Sequence, residues 1–451
     1  MGWISWLSPG MNLKRWLLLF ALGVLLCASG LALFFNYQFM GFVEELLFKM
    51  TYLATGKYSN AVAMAAGLAA VLAGSFVMFF ATRCIVRSVM EAVMPDNNAS
   101  LMERIFTQRK LTQGPTITVV GGGTGLSVLL RGMKYVTHNV NAVVTVADDG
   151  GSSGRLRKEL GIIPPGDLRN CLVALADSEP LMERLMQFRF NDASPLSGHS
   201  FGNLFIAAMS ESEGSIEAGL AATSQILNVR GKVIPSALSD VRLQAQMTDG
   251  SIVEGESQIP LAQKRIERMS LVPADVQATE SAVQAIVNAD VLIFGPGSLY
   301  TSVIPNLLVK GIREAILESK AVKIYICNVM TQPGETDGYG AYDHVQALIN
   351  HMGKQFLDYV IVNEQSIMDL TLAQYKQKGA APVAPDVDKI ARLGIQVISK
   401  KLISDNDLVR HNPQKLTQTV ISLIYRLRLF GKNFRYFDYY FMRQTVRKLQ
   451  K

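Results

Sequence analysis

Charge and cysteine are both scarce in this chain. Asp, Glu, Lys and Arg make up 18% of its 451 residues, against about a quarter in ordinary soluble domains, and mean hydropathy is +0.21. A chain solvated along its whole length does not read this way. Cys27, Cys84, Cys171 and Cys327 are scattered, with no C-x-x-C spacing. That excludes a disulfide framework and a thiolate zinc site, and a reducing cytoplasm is the natural compartment. Two nucleotide fingerprints are missing as well. The third glycine of G-x-G-x-x-G would fall at Val128 counting from Gly123, or at Leu126 counting from Gly121, and no Lys-Ser/Thr pair follows Gly125. Neither the dinucleotide fingerprint nor the Walker loop is present. No internal repeat and no long low-complexity tract occurs.

The apolar excess is local. Residues 16–35 and 61–82 are uncharged apolar runs, each long enough as a helix to cross a bilayer core of about 30 Å. A cleaved signal peptide is the competing explanation of the first, but the run is long and a second follows it. Leu26 also stands before Cys27 where a lipoprotein site needs a small residue. Lys14 and Arg15 precede the first run; Arg83, Arg87, Arg104, Arg109 and Lys110 follow the second. This places both ends in the cytoplasm, with residues 36–60 as the external loop. Gly23 and Gly30, and Gly67 and Gly74, are seven apart and share a helix face, a spacing that permits close packing of the hairpin. Residues 1–87 read as a transmembrane hairpin. Residues 88–115, broken by Pro95-Asp96-Asn97-Asn98, read as a linker with a short helix at 101–109.

The domain from 116 to 424 is organised around residues 116–149. A β-branched run, Thr116-Ile117-Thr118-Val119-Val120, enters the turn Gly121-Gly122-Gly123-Thr124-Gly125. An apolar-periodic segment through Leu126, Val128, Leu129, Leu130 and Met133 follows, then a second β-rich run, Ala142-Val143-Val144-Thr145-Val146, ending in Asp148-Asp149-Gly150-Gly151-Ser152-Ser153. Strand, glycine turn, helix, strand make one right-handed βαβ unit. Glycines let backbone approach a phosphate, and the helix start supplies free N–H groups at the positive end of its dipole. Asp148 and Asp149 stand where a ribose-binding or metal-binding carboxylate would. A tight turn with no ligand explains a glycine turn alone equally well; the adjoining acidic pair favours a nucleotide site.

Further motifs gather downstream. Pro164-Pro165-Gly166-Asp167-Leu168-Arg169-Asn170 fixes a loop, with Asp167 as expected N-cap of a helix running to about 176. Arg155, Arg157 and Arg169 are candidate phosphate partners, although a solvated charged face is the commoner role of any one arginine. In Gly198-His199-Ser200-Phe201-Gly202-Asn203, His199 and Asn203 open another helix and are candidate ligand contacts. Residues 241–259 alternate around Thr248-Asp249-Gly250-Ser251, a hairpin signal. The buried-strand run Val291-Leu292-Ile293-Phe294 ends in a second glycine turn, Gly295-Pro296-Gly297-Ser298. Further strands are expected at 323–327, 357–362 and 395–398. Strands alternating with helices imply a Rossmann-like, doubly wound, mainly parallel sheet with a β-hairpin insert, and in such sheets the ligand crevice lies at the strands' carboxyl ends.

Residues 425–451 carry eight Lys/Arg against Asp438 alone. That excess of +7 equals the formal charge of the whole chain, +7, so no basic footprint for nucleic acid spreads over the domain. Interleaved Phe430, Phe434, Tyr436, Phe437, Tyr439, Tyr440 and Phe441 suit an anionic membrane interface; nucleic acid is not an expected partner.

Together these stretches resemble the bacterial gluconeogenesis factor family, also called YvcK-like, which shares a superfamily with the 2-phospho-L-lactate transferases of coenzyme F420 synthesis. The motifs are Val119-Val120-Gly121-Gly122-Gly123-Thr124-Gly125, Ala147-Asp148-Asp149-Gly150-Gly151-Ser152-Ser153-Gly154, Pro164-Pro165-Gly166-Asp167-Leu168-Arg169-Asn170, Gly198-His199-Ser200-Phe201-Gly202-Asn203 and Gly295-Pro296-Gly297-Ser298. The resemblance covers about residues 117–423. It implies a Rossmann-like nucleotide site with UDP-sugars as ligands, and an association with cell shape, envelope synthesis and growth on gluconeogenic carbon. The transferase relatives use a divalent metal to move a phospholactyl group. The expectation is therefore a membrane-tethered, cytoplasmic UDP-sugar-binding regulator of the bacterial cell membrane with two spans. Its ligand contacts are Gly121, Gly122, Gly123, Thr124, Gly125, Asp148, Asp149, Asp167, Asn170, His199, Asn203, Gly295, Gly297 and Ser298, with Mg2+ a candidate ion at Asp148 and Asp149. Envelope-synthesis proteins and a second copy of the chain are candidate partners. A Mg2+-dependent phosphotransferase is the alternative, and regulator and enzyme need the same phosphate cradle.

Overall fold

The computed structural model describes residues 13–34, 41–56, 60–93, 111–112, 114–177, 180–191, 196–404, 409–430, 439, 442–443 and 446. The chain divides into two compact units, Met1–Phe106 and Thr107–Lys451.

The first unit holds three helices, α1 (Leu13–Phe34), α2 (Gly41–Thr55) and α3 (Asn60–Val93). Helices α1 and α3 pack antiparallel along the glycines. A Cβ on Gly30 would lie 2.7 Å from the Gly67 carbonyl oxygen, and one on Gly74 would lie 2.7 Å from that of Gly23. Only glycine allows this approach, as the sevenfold spacing predicts. Of the two expected spans, one reaches spanning length and apolarity, Met64–Ser88; the apolar stretch Trp16–Ala32 is shorter. The expected loop between them is mostly the helix α2. Its Glu45 and Lys49 form an i,i+4 pair at 2.9 Å, of the kind that supports a helix. The short helix expected at 101–109 lies outside the described residues.

The second unit is built on a seven-stranded sheet in the order β10-β9-β8-β7-β1-β2-β3. Its strands are β1 (Ile117–Gly121), β2 (Val140–Val144), β3 (Lys232–Pro235), β7 (Val291–Phe294), β8 (Val322–Ile326), β9 (Tyr359–Asn363) and β10 (Gln396–Lys400). Every pairing is parallel. β1 and β7 are buried at every position, as strands covered on both faces must be, and their near-continuous apolar runs follow from that. Helix α4 (Gly123–Met133) returns the chain from β1 and buries Leu126, Leu129, Leu130 and Met133. Strand β3 is unannounced in the sequence. It is short and ends in Pro235, which the sheet tolerates because β3 lies at an edge. The strand order reverses between β1 and β7, with Ile117 opposite Val291 and Val120 opposite Phe294.

The expected hairpin insert is larger than two strands. β4 (Arg242–Met247) and β5 (Ile252–Glu254) turn through residues 248–251, and β6 (Ile266–Val272) completes a separate antiparallel sheet, β5-β4-β6. A two-stranded hairpin is marginal in water. The third strand lets Leu243, Ala245, Met247, Met269 and Leu271 bury one common face.

Most of residues 431–451 lie outside the described residues. Those that are described fold back on the domain. Phe430, Met442 and Val446 are buried in its core, and the Tyr439 ring stacks on Tyr425 with centroids 4.3 Å apart. At these positions the aromatic tail is part of the domain rather than a free basic segment.

Candidate functional site

The two glycine turns leave the carboxyl ends of adjacent strands at the reversal point, where an open parallel sheet forms its crevice. They touch. A Cβ on Gly125 would lie 2.7 Å from the Pro296 carbonyl oxygen, and one on Gly297 would lie 3.1 Å from that of Gly122. Gly122 has no room for a side chain either, with the Asp167 carboxylate at 2.5 Å and the Thr145 methyl at 2.6 Å from its Cβ position. Gly123 is different: its neighbourhood is open, but its φ of +68° suits glycine alone. Thus Gly122 and Gly125 are fixed by space and Gly123 by backbone conformation.

A cavity of ≈ 380 Å³ opens above this junction, lined by Gly122, Gly123, Thr124, Gly125, Gly297 and Ser298. The start of α4 faces it, so backbone N–H groups at the positive end of a helix dipole line one wall. Val128, read as core from its apolar period, lines the cavity instead. The second turn is held from below by Asn328, whose Oδ1 accepts from the Gly297 amide at 3.3 Å and whose Nδ2 donates to the Gly297 carbonyl at 2.8 Å. Gln332 donates to the Ser298 hydroxyl. Asn306 joins the two turns' elements, donating to the Gly121 carbonyl at 3.1 Å and to the Ser302 carbonyl at 2.8 Å. Gly295, with φ +74°, makes the bend but does not line the cavity.

Five lining residues carry chemistry that the sequence did not single out. Asn328 and Gln332 follow β8, and their position at a third strand end could have marked them. Arg410 and His411 come from the loop after β10, and Glu256 from the insert; only the folded topology brings these to the site. Arg410 is exposed at the cavity and is the sole cation among its described lining residues. His411 is buried, which pushes its imidazole down to about 4, and its Nε2 has no partner among the described residues.

The remaining expected ligand residues lie beside the cavity rather than in its lining. Asp167 sits in the first turn of the helix Gly166–Leu175; Pro165, not Asp167, is the N-cap. Burial and the neighbouring Asp148 push the Asp167 carboxyl up to about 7, against a hydrogen bond from the Gly123 backbone. Glu256 is pushed up to about 9 by burial and by Asp148, Asp167, Asp149 and Glu335. Carboxylates crowded in this way cannot all ionise. Asp148 Oδ1 accepts from the Gly150 amide at 2.9 Å, and Asp149 Oδ1 accepts from the Ser257 amide at 2.9 Å. Asp149 thereby ties the insert to the main sheet. No three His, Cys, Asp or Glu side chains among the described residues converge to cage a metal, so any Mg2+ here would need phosphate oxygens to complete its shell.

His199 and Asn203 meet the serines of the acidic-pair motif. His199 Nδ1 is 3.2 Å from the Ser152 hydroxyl, and Asn203 donates to Ser152 at 3.1 Å and to Ser153 at 3.4 Å. Asn170 accepts from Arg169 at 2.9 Å, and Arg169 also donates to the Ser200 hydroxyl. Arg155 donates to the Ser197 carbonyl at 2.7 Å, and Arg157 pairs with Asp240. Each of the three arginines read as phosphate partners bonds a neighbouring loop, and none lines the cavity.

Residues 117–403 match the family model described as 2-phospho-L-lactate transferase CofD. A Nostoc sp. relative, provisionally named a gluconeogenesis factor, is 45% identical over 93% of this chain and 92% of its own. The gluconeogenesis factor of Bacillus subtilis is 49% identical over 69% of this chain and 99% of its own. A crystallised protein of the UPF0052 family from Bacillus halodurans matches with a TM-score of 0.66 at 52% identity, over 68% of this chain and 99% of that one. Two abutting glycine turns at the sheet's reversal point, on a chain this similar to these relatives, place it in the gluconeogenesis factor (YvcK-like) family of the CofD superfamily.

Proposed function

We propose that the chain is a nucleotide-sugar-binding regulator, held at the bacterial cell membrane by its N-terminal helices with the main domain in the cytoplasm. The observation that carries the reading is the junction of the two glycine turns beneath a cavity of ≈ 380 Å³, a size within the usual range of small-ligand pockets, about 300–1,000 Å³. A UDP-sugar would set its diphosphate against the amides of Thr124, Gly125 and Ser298, with Arg410 as counter-charge. Glu256 is protonated at neutral pH, so it would donate to a phosphate oxygen rather than repel it. Asp148 and Asp149 would hold ribose hydroxyls or a phosphate-bound Mg2+. The relatives' names support a link to gluconeogenic growth, and we extend the family's association with cell shape and envelope synthesis to this chain. The tether is supported by apolar side chains that α1 and α3 leave exposed, among them Leu18 at 72% and Phe76 and Phe79 at 69%.

One observation favours the enzymatic alternative. Asp167, at about 7, could exchange a proton near neutral pH directly beside the cradle. Titration of the protein with UDP-glucose, GDP and NAD+, with and without Mg2+, followed by product analysis, separates the readings. The regulator binds UDP-glucose and returns it intact; a phosphotransferase consumes it when Mg2+ and an acceptor alcohol are present. Failure of UDP-glucose to bind would overturn the regulator, and failure of all three nucleotides would overturn both readings.

A further inference from the structure

A second concavity, ≈ 580 Å³, lies away from the nucleotide cavity, between the edge strand β10 and the helix Pro413–Arg426. Its cations come from three separate places in the chain: Lys400 and Lys401 at the end of β10, Lys415 and Arg426 on the helix, and Arg443 in the tail. Glu364 is the one carboxylate among the described lining residues.

The strand itself is open. β10 ends the sheet, and among the described residues nothing pairs with its outer side. The Gln396 amide donates to Asp358 and the Lys400 carbonyl accepts from Glu364, both toward β9. By the two-residue period, the backbone groups of Val397, Ser399 and Lys401 face outward. Val397, Ile398 and Ser399 are half-buried along the groove floor, and the helix presents Gln418, Thr419 and Ser422 opposite them.

Edge lysines often serve only to keep strand edges from associating. That explains Lys400 and Lys401. Lys415 donates to the Ile403 carbonyl at 2.7 Å, but nothing of this kind explains why the helix and the tail bring Arg426 and Arg443 to the same groove, where they repel the lysines. β10 of a second copy, Gln396–Lys400, carries no carboxylate to meet these cations. A flat anionic membrane could meet the rim charges but could not enter a groove with unpaired amides along its wall.

We propose that this groove takes an acidic, extended peptide segment of a partner protein, which adds to β10 as an eighth strand. Main-chain hydrogen bonds to residues 397, 399 and 401 would give affinity, and alternate carboxylates would meet the lysines and arginines. Five residues of β10 offer about 17 Å of edge, so a segment of five to six residues fills it. This also gives the basic tail a role, through Arg443, apart from the nucleotide cavity.

The test uses the full chain in detergent micelles and an end-blocked, fluorescein-labelled peptide of four Val-Glu repeats, read by anisotropy. A second peptide replaces alternate valines with proline, keeping the charge and removing strand-forming ability. The proposal predicts binding of the first and at least about tenfold weaker binding of the second. Lys400→Gln/Arg426→Gln/Arg443→Gln and, separately, Ser399→Pro each weaken the first peptide by about tenfold, with UDP-glucose binding unchanged. Absence of binding by the Val-Glu peptide, equal binding of the proline peptide, or full affinity in the charge-neutralised protein would overturn the proposal. Displacement of the peptide by phosphatidylglycerol vesicles from the wild-type chain alone would assign the groove to lipid headgroups instead.

Discussion

Asp167 shows at the scale of one residue how the site conflicts with stability. Its carboxyl is held at about 7 by burial and by Asp148, against an ordinary value of about 3.9. Because the folded chain binds this proton more tightly than the unfolded chain, stability falls as pH rises from about 4 to about 7 and then levels off. Glu256, at about 9, extends the fall further into alkali. Asp167→Asn keeps an acceptor for the Gly123 amide and removes the charge. It should stabilise the ligand-free protein at pH 8 by roughly 1 kcal/mol after allowance for solvent screening, with no gain at pH 4. Thermal melts of both proteins at the two pH values check this; an equal shift at both would show that charge is not the cause. Asp167 was legible in the sequence as a residue of the site, but its partner Glu256 was not. Glu256 comes to the acid group on the insert, whose Ser257 amide donates to Asp149, and a contact across more than a hundred residues leaves no local pattern.

At the scale of elements, periodicity carried far. The two βα turns, the parallel strands and the helix-packing glycines of α1 and α3 follow from apolar runs and glycine spacing. The misses have physical causes. β3 is too short for a pattern. α2 was passed over because it lies between two long apolar runs and reads as their connection. β6 completes an insert that its hairpin turn announced only in part. The α1–α3 packing makes a direct prediction. The Cys27 sulfur stands 3.7 Å from the Ser75 hydroxyl oxygen, so Ser75→Cys, which leaves the glycines in place, should form a disulfide with Cys27 under mild oxidation. Intact-mass measurement after alkylation checks it. Two alkylatable thiols at these positions after oxidation would mean the helices do not meet along the glycine face.

At the scale of the whole molecule, the B. subtilis relative matches 69% of this chain and 99% of itself, so a shorter protein of this family omits close to a third of what is present here. The described part of the tail is built into the core through Phe430, Met442 and Val446. Deleting residues 425–451 should therefore destabilise the domain by several kcal/mol, at about 1.5–3 kcal/mol for each large apolar side chain lost. Chemical denaturation measures that loss, and an unchanged midpoint would make the tail an appendage after all. The central claim is that the abutting glycine turns cradle the diphosphate of a nucleotide sugar. Calorimetric titration of UDP-glucose into the full chain and into Gly125→Ala tests it most directly, because the added methyl must push the first turn off Pro296. The account predicts saturable binding to the wild-type chain and a loss of about a hundredfold or more in a folded Gly125→Ala protein, since a displacement of about 1 Å in a positioning site can cost that much. Undiminished binding by the folded variant would place the nucleotide elsewhere and contradict the account.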